Sequence, residues 1–159
     1  LRGHPRRMVL CRKWQEISEL ELPEDQELYY TTTAMMHYAK PVAHSAMGNI
    51  AEAEQAKADF IAAKTTVPDT RRVHNNIVVD ILEIAEEMLN GELEYRRGNH
   101  SLAFDHLRKS VELDDNPAYD EPWGWMQPAR HAPGALLTNR ASSREPSPAL
   151  VPIPALTTR

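Results

Sequence analysis

Two stretches of this 159-residue chain follow the same pattern, and that repetition constrains the fold more than any other sequence feature. The stretches read AMGNIAEAEQAKADF and RRGNHSLAFDHLRKS. At a spacing of 50 residues, the pairs that align are Gly48 and Gly98, Asn49 and Asn99, and Ala53 and Ala103. Glycine and asparagine end helices readily because both tolerate the left-handed backbone of a C-cap. Each copy therefore predicts a helix, a short turn and a second helix with a small residue near its start.

Apolar residues recur three or four positions apart over residues 29 to about 109, which is the spacing of one helix face. The helices are expected to stop at the two Gly-Asn pairs, at the proline of TTVPD and at LDDNP. The segment TTVPDTRRVHNN predicts a loop, followed by a lengthened helix from about residue 73 to residue 97. No alternation of apolar and polar residues is long enough for a sheet. The predicted fold class is all-α.

The repeated helix pairs also predict how the helices are arranged. One such pair cannot bury its apolar stripe alone, so neighbouring pairs must stack into a solenoid. The expected architecture is an antiparallel helix-pair solenoid, an α-α superhelix, followed by a disordered tail. The three predicted regions are a partial N-terminal helical repeat over residues 1–28, the repeat domain over 29–137 and a Pro/Ser-rich disordered tail over 138–159.

The repeated Gly-Asn turns, together with the helix-closing prolines, resemble a tetratricopeptide repeat protein. In this resemblance Gly48 and Gly98 are the turn glycines between helices A and B of a repeat. Ala53 and Ala103 become the small packing residues of helix B. Gly91 falls seven residues before Gly98, at the helix-A glycine of the motif. The resemblance implies a tetratricopeptide-like superhelix.

Three longer segments sharpen the resemblance: HYAKPVAHSAMG, MLNGELEYRRGN and YDEPWGWMQPARHAPGALL. They are similar to segments that open successive repeats in a subgroup of tetratricopeptide-repeat proteins to which no reaction is attached. The likeness covers about residues 8 to 137. It implies a protein–protein interaction module or scaffold without catalytic activity, with a protein or peptide as its partner.

The chain departs from the repeat motif in several places. The spacing of 50 residues exceeds the usual repeat length of about 34. Pro41 replaces the helix-A glycine, and Pro133 precedes Gly134 where leucine is expected. A proline inside a helix costs about 3 kcal/mol or more, so these changes indicate either kinked helices or relaxed selection. A third repeat opens at ARHAPGALL but is not completed after Leu137. We expect a truncated or misread gene end here, and self-association through the unfinished repeat.

The stretch YDEPWGWMQPARHAPGALL is rich in functional groups, yet its pattern predicts a connector between repeats. Its prolines prevent a long helix from crossing it. Trp123 and Trp125 supply large apolar surfaces and are predicted to dock between the second repeat and the start of the third. Gly134 would belong to the helix that opens the third repeat.

Several side chains are candidates for binding a partner. A curved helical solenoid offers a concave groove, and arginines that line it can bind carboxylates of an extended segment. The candidates for this role are Arg71, Arg72, Arg96, Arg97 and Arg130. His37 and His44 lie seven residues apart on one helix face and are expected to contribute to packing or to the groove.

Two alternatives to a scaffold stay open. One is a metal-dependent, hydrolase-like helical enzyme that uses His37 and His44 with glutamates of the next long helix, namely Glu83, Glu86 and Glu87. Against it, the chain has no Glu-x-x-His pair, no helical zinc-protease motif, no Gly-x-Ser-x-Gly and no phosphate loop. The acids of the connector region are expected to cap helices: Asp114, Asp115, Asp120 and Glu121. The second alternative is an inactive fragment.

Composition excludes some partners. The formal charge is −5, and basic residues are not interleaved with aromatics, so nucleic acid is not an expected partner. The basic start LRGHPRRMVLCRK holds only a short apolar run, so neither a signal peptide nor a membrane span is predicted there. Cys11 is the only cysteine, which favours a reduced, cytoplasmic location. No metal and no cofactor are expected.

Overall fold

Helices make up most of the protein in the computed structural model, which describes residues 13–119, 124–125 and 128–143. The all-α class is therefore confirmed. The helices are α1 Trp14–Ser18, α2 Tyr30–Ala46, α3 Ile50–Thr66, α4 Val78–Arg96, α5 His100–Asp114 and α6 His131–Ser143. Two short strands, β1 Arg72–Val73 and β2 Asn76–Ile77, lie between α3 and α4.

Two antiparallel helix hairpins, α2 with α3 and α4 with α5, contain the most extensive helix–helix contacts. Both predicted Gly-Asn stops lie in the turns of these hairpins. Gly48 and Gly98 adopt φ of 84° and 86°, the left-handed region that glycine enters without steric cost.

The hydrogen bonds of the two turns are also alike. The Asn49 N–H donates to the His44 carbonyl at 2.9 Å, and the Asn99 N–H donates to the Glu94 carbonyl at the same distance. The N–H of each glycine donates to the carbonyl three residues earlier at 3.0 Å. This pair of bonds is the Schellman motif, in which a left-handed residue satisfies the last free carbonyls of a helix.

Small residues lie where the helices of a hairpin cross. Ala53 and Ala103 are fully buried. A Cβ added at Gly91 would lie 2.7 Å from the Leu107 Cγ and 3.2 Å from the Ala103 carbonyl oxygen. In the first hairpin, Pro41 lies at the corresponding place, and it is buried inside α2 without ending that helix.

The main core lies between the two hairpins. Tyr38 of α2 packs edge-on against Phe60 of α3 and against Trp125, with ring centroids 5.8 and 4.9 Å apart. The Trp125 indole N–H donates to the Met88 sulfur of α4 at 2.8 Å. A smaller cluster holds α1 on α2 through Ile17, which is fully buried. Burying such aromatic side chains contributes about 1.5–3 kcal/mol each.

The predicted start of the long helix near residue 73 is wrong, because α4 begins at Val78. Residues 72–77 instead form an antiparallel strand pair with Val73 opposite Asn76. His74 has a positive φ of 51°, which closes the tight turn between the strands. The Asn76 side chain explains the strand geometry, since it donates to the Ala118 carbonyl at 2.9 Å and accepts from the Ala118 N–H at 2.7 Å.

Two further expectations need correction at the C-terminal end. The disordered tail was predicted from residue 138, but α6 continues to Ser143. Proline restricts only its own position and its neighbours, and the first proline of the tail is Pro146. Pro133 lies in the first turn of α6, where its missing N–H has no partner within the helix, so the expected penalty does not arise. Residues 144–159 and 1–12 lie outside the described residues.

The close crossing at Gly91 predicts an unusual response to alanine. Alanine favours helix over glycine by roughly 1 kcal/mol, but overpacking a core costs about 1–3 kcal/mol. Leu107 is buried and cannot swing aside. We expect Gly91→Ala to lower the free energy of unfolding by up to about 2 kcal/mol in urea titrations. Gly134→Ala in α6 is the control, since no atom lies within 4 Å of its added Cβ, and it should not destabilise the protein.

The two left-handed glycines predict matched effects. No atom lies within 4 Å of a Cβ added at Gly48 or Gly98, so substitution is opposed by backbone strain alone. We expect Gly48→Ala and Gly98→Ala each to cost about 1–2 kcal/mol. Asparagine should cost less at both positions, because it enters the left-handed region more easily. Unequal costs measured by chemical unfolding would show that the turns are not equivalent.

Candidate functional site

An open groove of about 530 Å³ lies between the first half of α2 and the second half of α3. We call it the α2–α3 groove. The residues that line it are Gln26, Glu27, Tyr30, Thr33, His37, Asp59, Ala62, Ala63 and Thr66. None of them belongs to the second hairpin.

Helical spacing and the turn at Gly48 bring these side chains together. Tyr30, Thr33 and His37 are three and four residues apart, so they share one face of α2. The lining residues of α3 follow the same spacing. The hairpin is antiparallel, so residues at equal distances from Gly48 lie at about the same height along it: His37 and Asp59 each lie 11 residues from Gly48, and both line the groove.

The turn before α2 closes one end of the groove. The Leu28 N–H donates to the Asp25 carboxylate at 2.8 Å, and the Arg71 guanidinium donates to the Leu28 carbonyl at 3.2 Å. These bonds hold the backbone beside Gln26 and Glu27. The Arg71 guanidinium carbon also lies 5.8 Å from the centre of the Tyr30 ring, within the range of a cation–π contact.

The groove combines two exposed carboxylates with a half-buried histidine. Glu27 and Asp59 are exposed and carry the negative charge of the lining. Burial lowers the pKa of His37 below its ordinary value, the Asp59 carboxylate opposes that shift, and the Lys40 ammonium adds to it. The ring is therefore neutral at pH 7 and offers one donor nitrogen and one acceptor nitrogen.

Thr33 contributes an unsatisfied polar atom. Its side chain is 5 % exposed, and its hydroxyl oxygen has no hydrogen-bond partner. A buried polar group without a partner costs about 1–3 kcal/mol. The atom itself has almost no accessible surface, so a group in the α2–α3 groove reaches it only if the Thr33 side chain rotates.

The predicted arginines do not line one groove. Arg71 and Arg72 precede α4, whereas Arg96 and Arg97 stand at its far end. A helix of 19 residues is about 28 Å long, and it separates the two pairs. Arg130 lies in the segment before α6 and pairs with Asp115.

Each of these arginines also has a partner nearby. Arg72 donates to the Asn75 carbonyl at 2.7 Å. Arg96 pairs with Glu92 at 2.8 Å on its own helix. Arg97 bonds Glu94 at 2.7 Å, and it also reaches Glu54 of α3 at 2.7 Å, which ties the two hairpins together.

The two histidines are placed differently. His37 lines the α2–α3 groove, whereas His44 is not part of its lining and has a buried ring nitrogen without a hydrogen-bond partner. The glutamates proposed beside them are engaged elsewhere. Glu86 pairs with Lys64 at 2.9 Å, and Glu87 contacts the His106 ring at 2.6 Å.

Glu83 lies 4.0 Å from the same Lys64 ammonium, so all three glutamates of the proposed metal set face α3 or α5. Within residues 13–119, 124–125 and 128–143, no group of three or more His, Cys, Asp or Glu side chains is placed to hold a metal ion. The alternative of a metal site on His37 and His44 is therefore not assembled as proposed.

The tryptophan connector reaches further than expected. Trp125 is buried against Tyr38 of α2 and Met88 of α4, so it joins the two hairpins rather than the second hairpin and α6. Asp114 accepts from the Ala129 N–H at 2.8 Å and so holds the chain that leads into α6. Trp123, Asp120 and Glu121 lie outside the described residues.

Sequence reasoning missed most of the groove lining. Tyr30, Thr33 and Asp59 are not among the predicted partner-binding residues. The available signal was distance from the turn: Tyr30 and Thr66 lie 18 residues from Gly48, and Thr33 and Ala63 lie 15 residues from it. Equidistant positions lie at about the same height of an antiparallel hairpin, and the helical spacing selects which of them share the groove face.

Comparisons with protein-family models, with curated proteins and with solved structures give no match. The resemblance to tetratricopeptide repeats thus rests on the sequence motifs and stays a prediction. In the described part of the chain, no helix combines the length and the apolar character needed to cross a membrane.

The placing of His37 predicts its titration. We expect its imidazole to titrate below the ordinary value of 6.5, as followed by the NMR signal of its C2 proton. The unfolded chain takes up this proton first as the pH falls. The contribution of His37 to stability is thus complete above about pH 6.5 and declines below it.

Two variants separate the causes of this shift. Asp59→Asn removes the charge that raises the pKa of His37, so that pKa should fall further. Lys40→Gln removes a charge that lowers it and should raise it. An unchanged titration in Asp59→Asn would contradict the placing of the carboxylate beside the ring.

Proposed function

We propose that the chain is a protein-interaction module without catalytic activity of its own, and that the α2–α3 groove holds a segment of its partner. The observation that carries the proposal is the groove itself. It is open, it lies between two helices of one hairpin, and it presents a half-buried imidazole and two exposed carboxylates. Ligand sites typically combine an apolar lining with a few such polar groups.

The finer architecture belongs to the same proposal: a solenoid of helix pairs similar to tetratricopeptide repeats. Support comes from the matching Schellman turns at Gly48 and Gly98 and from the close crossing at Gly91. The Arg97–Glu54 ion pair and the Trp125 contacts supply a hairpin-to-hairpin interface, as stacked repeats require. In this proposal α6 opens a third pair, and the protein works in the cytoplasm.

A blocked groove tests the proposal. A displayed library of random peptides is selected on the protein, and the enriched peptides are measured against two variants by isothermal titration calorimetry. Ala62→Trp fills the groove from its lining. Ala58→Trp is the matched control, because Ala58 is an exposed residue one turn earlier on α3 that is not part of the lining.

We expect enriched peptides to bind the wild-type protein and Ala58→Trp alike and to lose affinity at least roughly tenfold for Ala62→Trp, because the added ring excludes them. Both variants should unfold cooperatively with the wild-type midpoint. The proposal fails if the selection enriches no peptide, or if enriched peptides bind Ala62→Trp as tightly as the control.

A further inference from the structure

We infer that the α2–α3 groove recognises an arginine side chain of an extended partner segment. This inference rests on the proposed function and adds the chemistry of the ligand. It follows from three features of the lining: its charge, its surplus of hydrogen-bond acceptors and its apolar walls.

The charge of the lining favours a cation. Glu27 and Asp59 are its two ionised groups, and His37 is neutral at pH 7. The nearby cations are not part of the lining. The Lys40 ammonium lowers the pKa of His37, and the Arg71 guanidinium donates to the Leu28 carbonyl. A positive ligand group gains from the two carboxylates, whereas an anionic one is repelled by them.

Acceptors outnumber donors in the groove. The two carboxylates accept only, and the unpaired Thr33 oxygen adds an acceptor once its side chain rotates toward the groove. Neutral His37 adds a further acceptor nitrogen. A guanidinium offers five N–H donors in a planar fork, whereas an ammonium offers three on one compact atom. Several acceptors on two helices and a turn are therefore better satisfied by arginine than by lysine.

The apolar part of the lining fits the rest of an arginine side chain. Ala62 and Ala63 offer surface to its methylene stem, which packs on apolar groups while the charged end stays hydrated. Tyr30 also lines the groove, and because the protein's own Arg71 lies over one face of its ring, a ligand guanidinium can reach only the rest of the ring. Guanidinium groups stack on aromatic rings more readily than ammonium groups do.

Small capped amino acids test the inference on the full chain. N-acetyl-arginine amide, N-acetyl-lysine amide and N-acetyl-citrulline amide are titrated separately, and the NMR signals of the Thr33 methyl and the His37 ring are followed. Citrulline is the neutral isostere of arginine. We expect saturable shifts with arginine, roughly threefold or more weaker binding with lysine and at least tenfold weaker binding with citrulline.

Variants assign the contacts. Asp59→Asn should weaken arginine binding about three- to tenfold, since it removes one charge from the lining. Thr33→Val keeps the shape, removes the hydroxyl and should weaken binding to a similar extent. Glu52→Gln is the control for the loss of one charge, because Glu52 is exposed on α3 and is not part of the lining. It should leave the affinity unchanged.

Protonation of His37 should oppose arginine binding, because it adds a positive charge beside the ligand. Affinity should fall as the pH falls through the titration of His37, and Lys40→Gln should raise affinity at every pH. Equal affinity for arginine and citrulline would overturn the inference, as would full affinity in Asp59→Asn and Thr33→Val.

The inference and the proposed function fail in different ways. If selected peptides bind and are blocked by Ala62→Trp, but replacing their arginines with citrulline changes nothing, only the arginine inference is wrong. If no peptide is selected at all, the interaction module itself is wrong. If capped arginine binds the groove but the affinity of the selected peptides does not depend on their arginines, the inference is wrong for a protein partner.

Discussion

The left-handed backbone at Gly48 determines which residues of α2 face which residues of α3. The N–H groups of Gly48 and Asn49 donate to carbonyls in the last turn of α2. The chain therefore reverses over three residues, and α3 runs antiparallel to α2. His37 of α2 and Asp59 of α3 then line the same groove, as do Thr33 and Ala63. A turn one residue longer would rotate α3 by about 100° and separate these pairs.

The second hairpin supports the first without contributing to its groove. Tyr38 is fully buried between Phe60 and Trp125, and burial raises the pKa of its phenol. In the same core, the Trp125 indole N–H donates to the Met88 sulfur of α4. The face of α2 that carries Tyr38 is thus committed to packing. The face that carries Thr33 and His37 borders the α2–α3 groove and is available to a ligand.

Turn chemistry and small residues made the helix hairpins predictable. The Gly-Asn pairs end α2 and α4, and Ala53 and Ala103 lie at close crossings, because only glycine and small side chains meet those steric demands. The strand pair at residues 72–77 could not be foreseen, since four strand residues carry no periodicity. It depends on the positive φ of His74 and on two bonds from Asn76 to a segment 42 residues away.

The groove was predictable only in part for a related reason. His37 was noticed for its chemistry, whereas Thr33 and Asp59 are ordinary residues whose role depends on what faces them across the hairpin. The arginines stand out in the sequence through their charge, yet each has a partner within the protein, as Arg96 has in Glu92 and Arg97 in Glu54. A charged residue can be recognised in the sequence, whereas the residue that it pairs with depends on the fold.

Intermolecular nuclear Overhauser effects between a selected peptide and the protein test the central claim most directly, because they report which protons lie within a few ångströms of the ligand. The account predicts contacts from an arginine side chain of the peptide to the Tyr30 ring and the Thr33 methyl. Contacts confined to α5 or α6, with none to the α2–α3 groove, would contradict it.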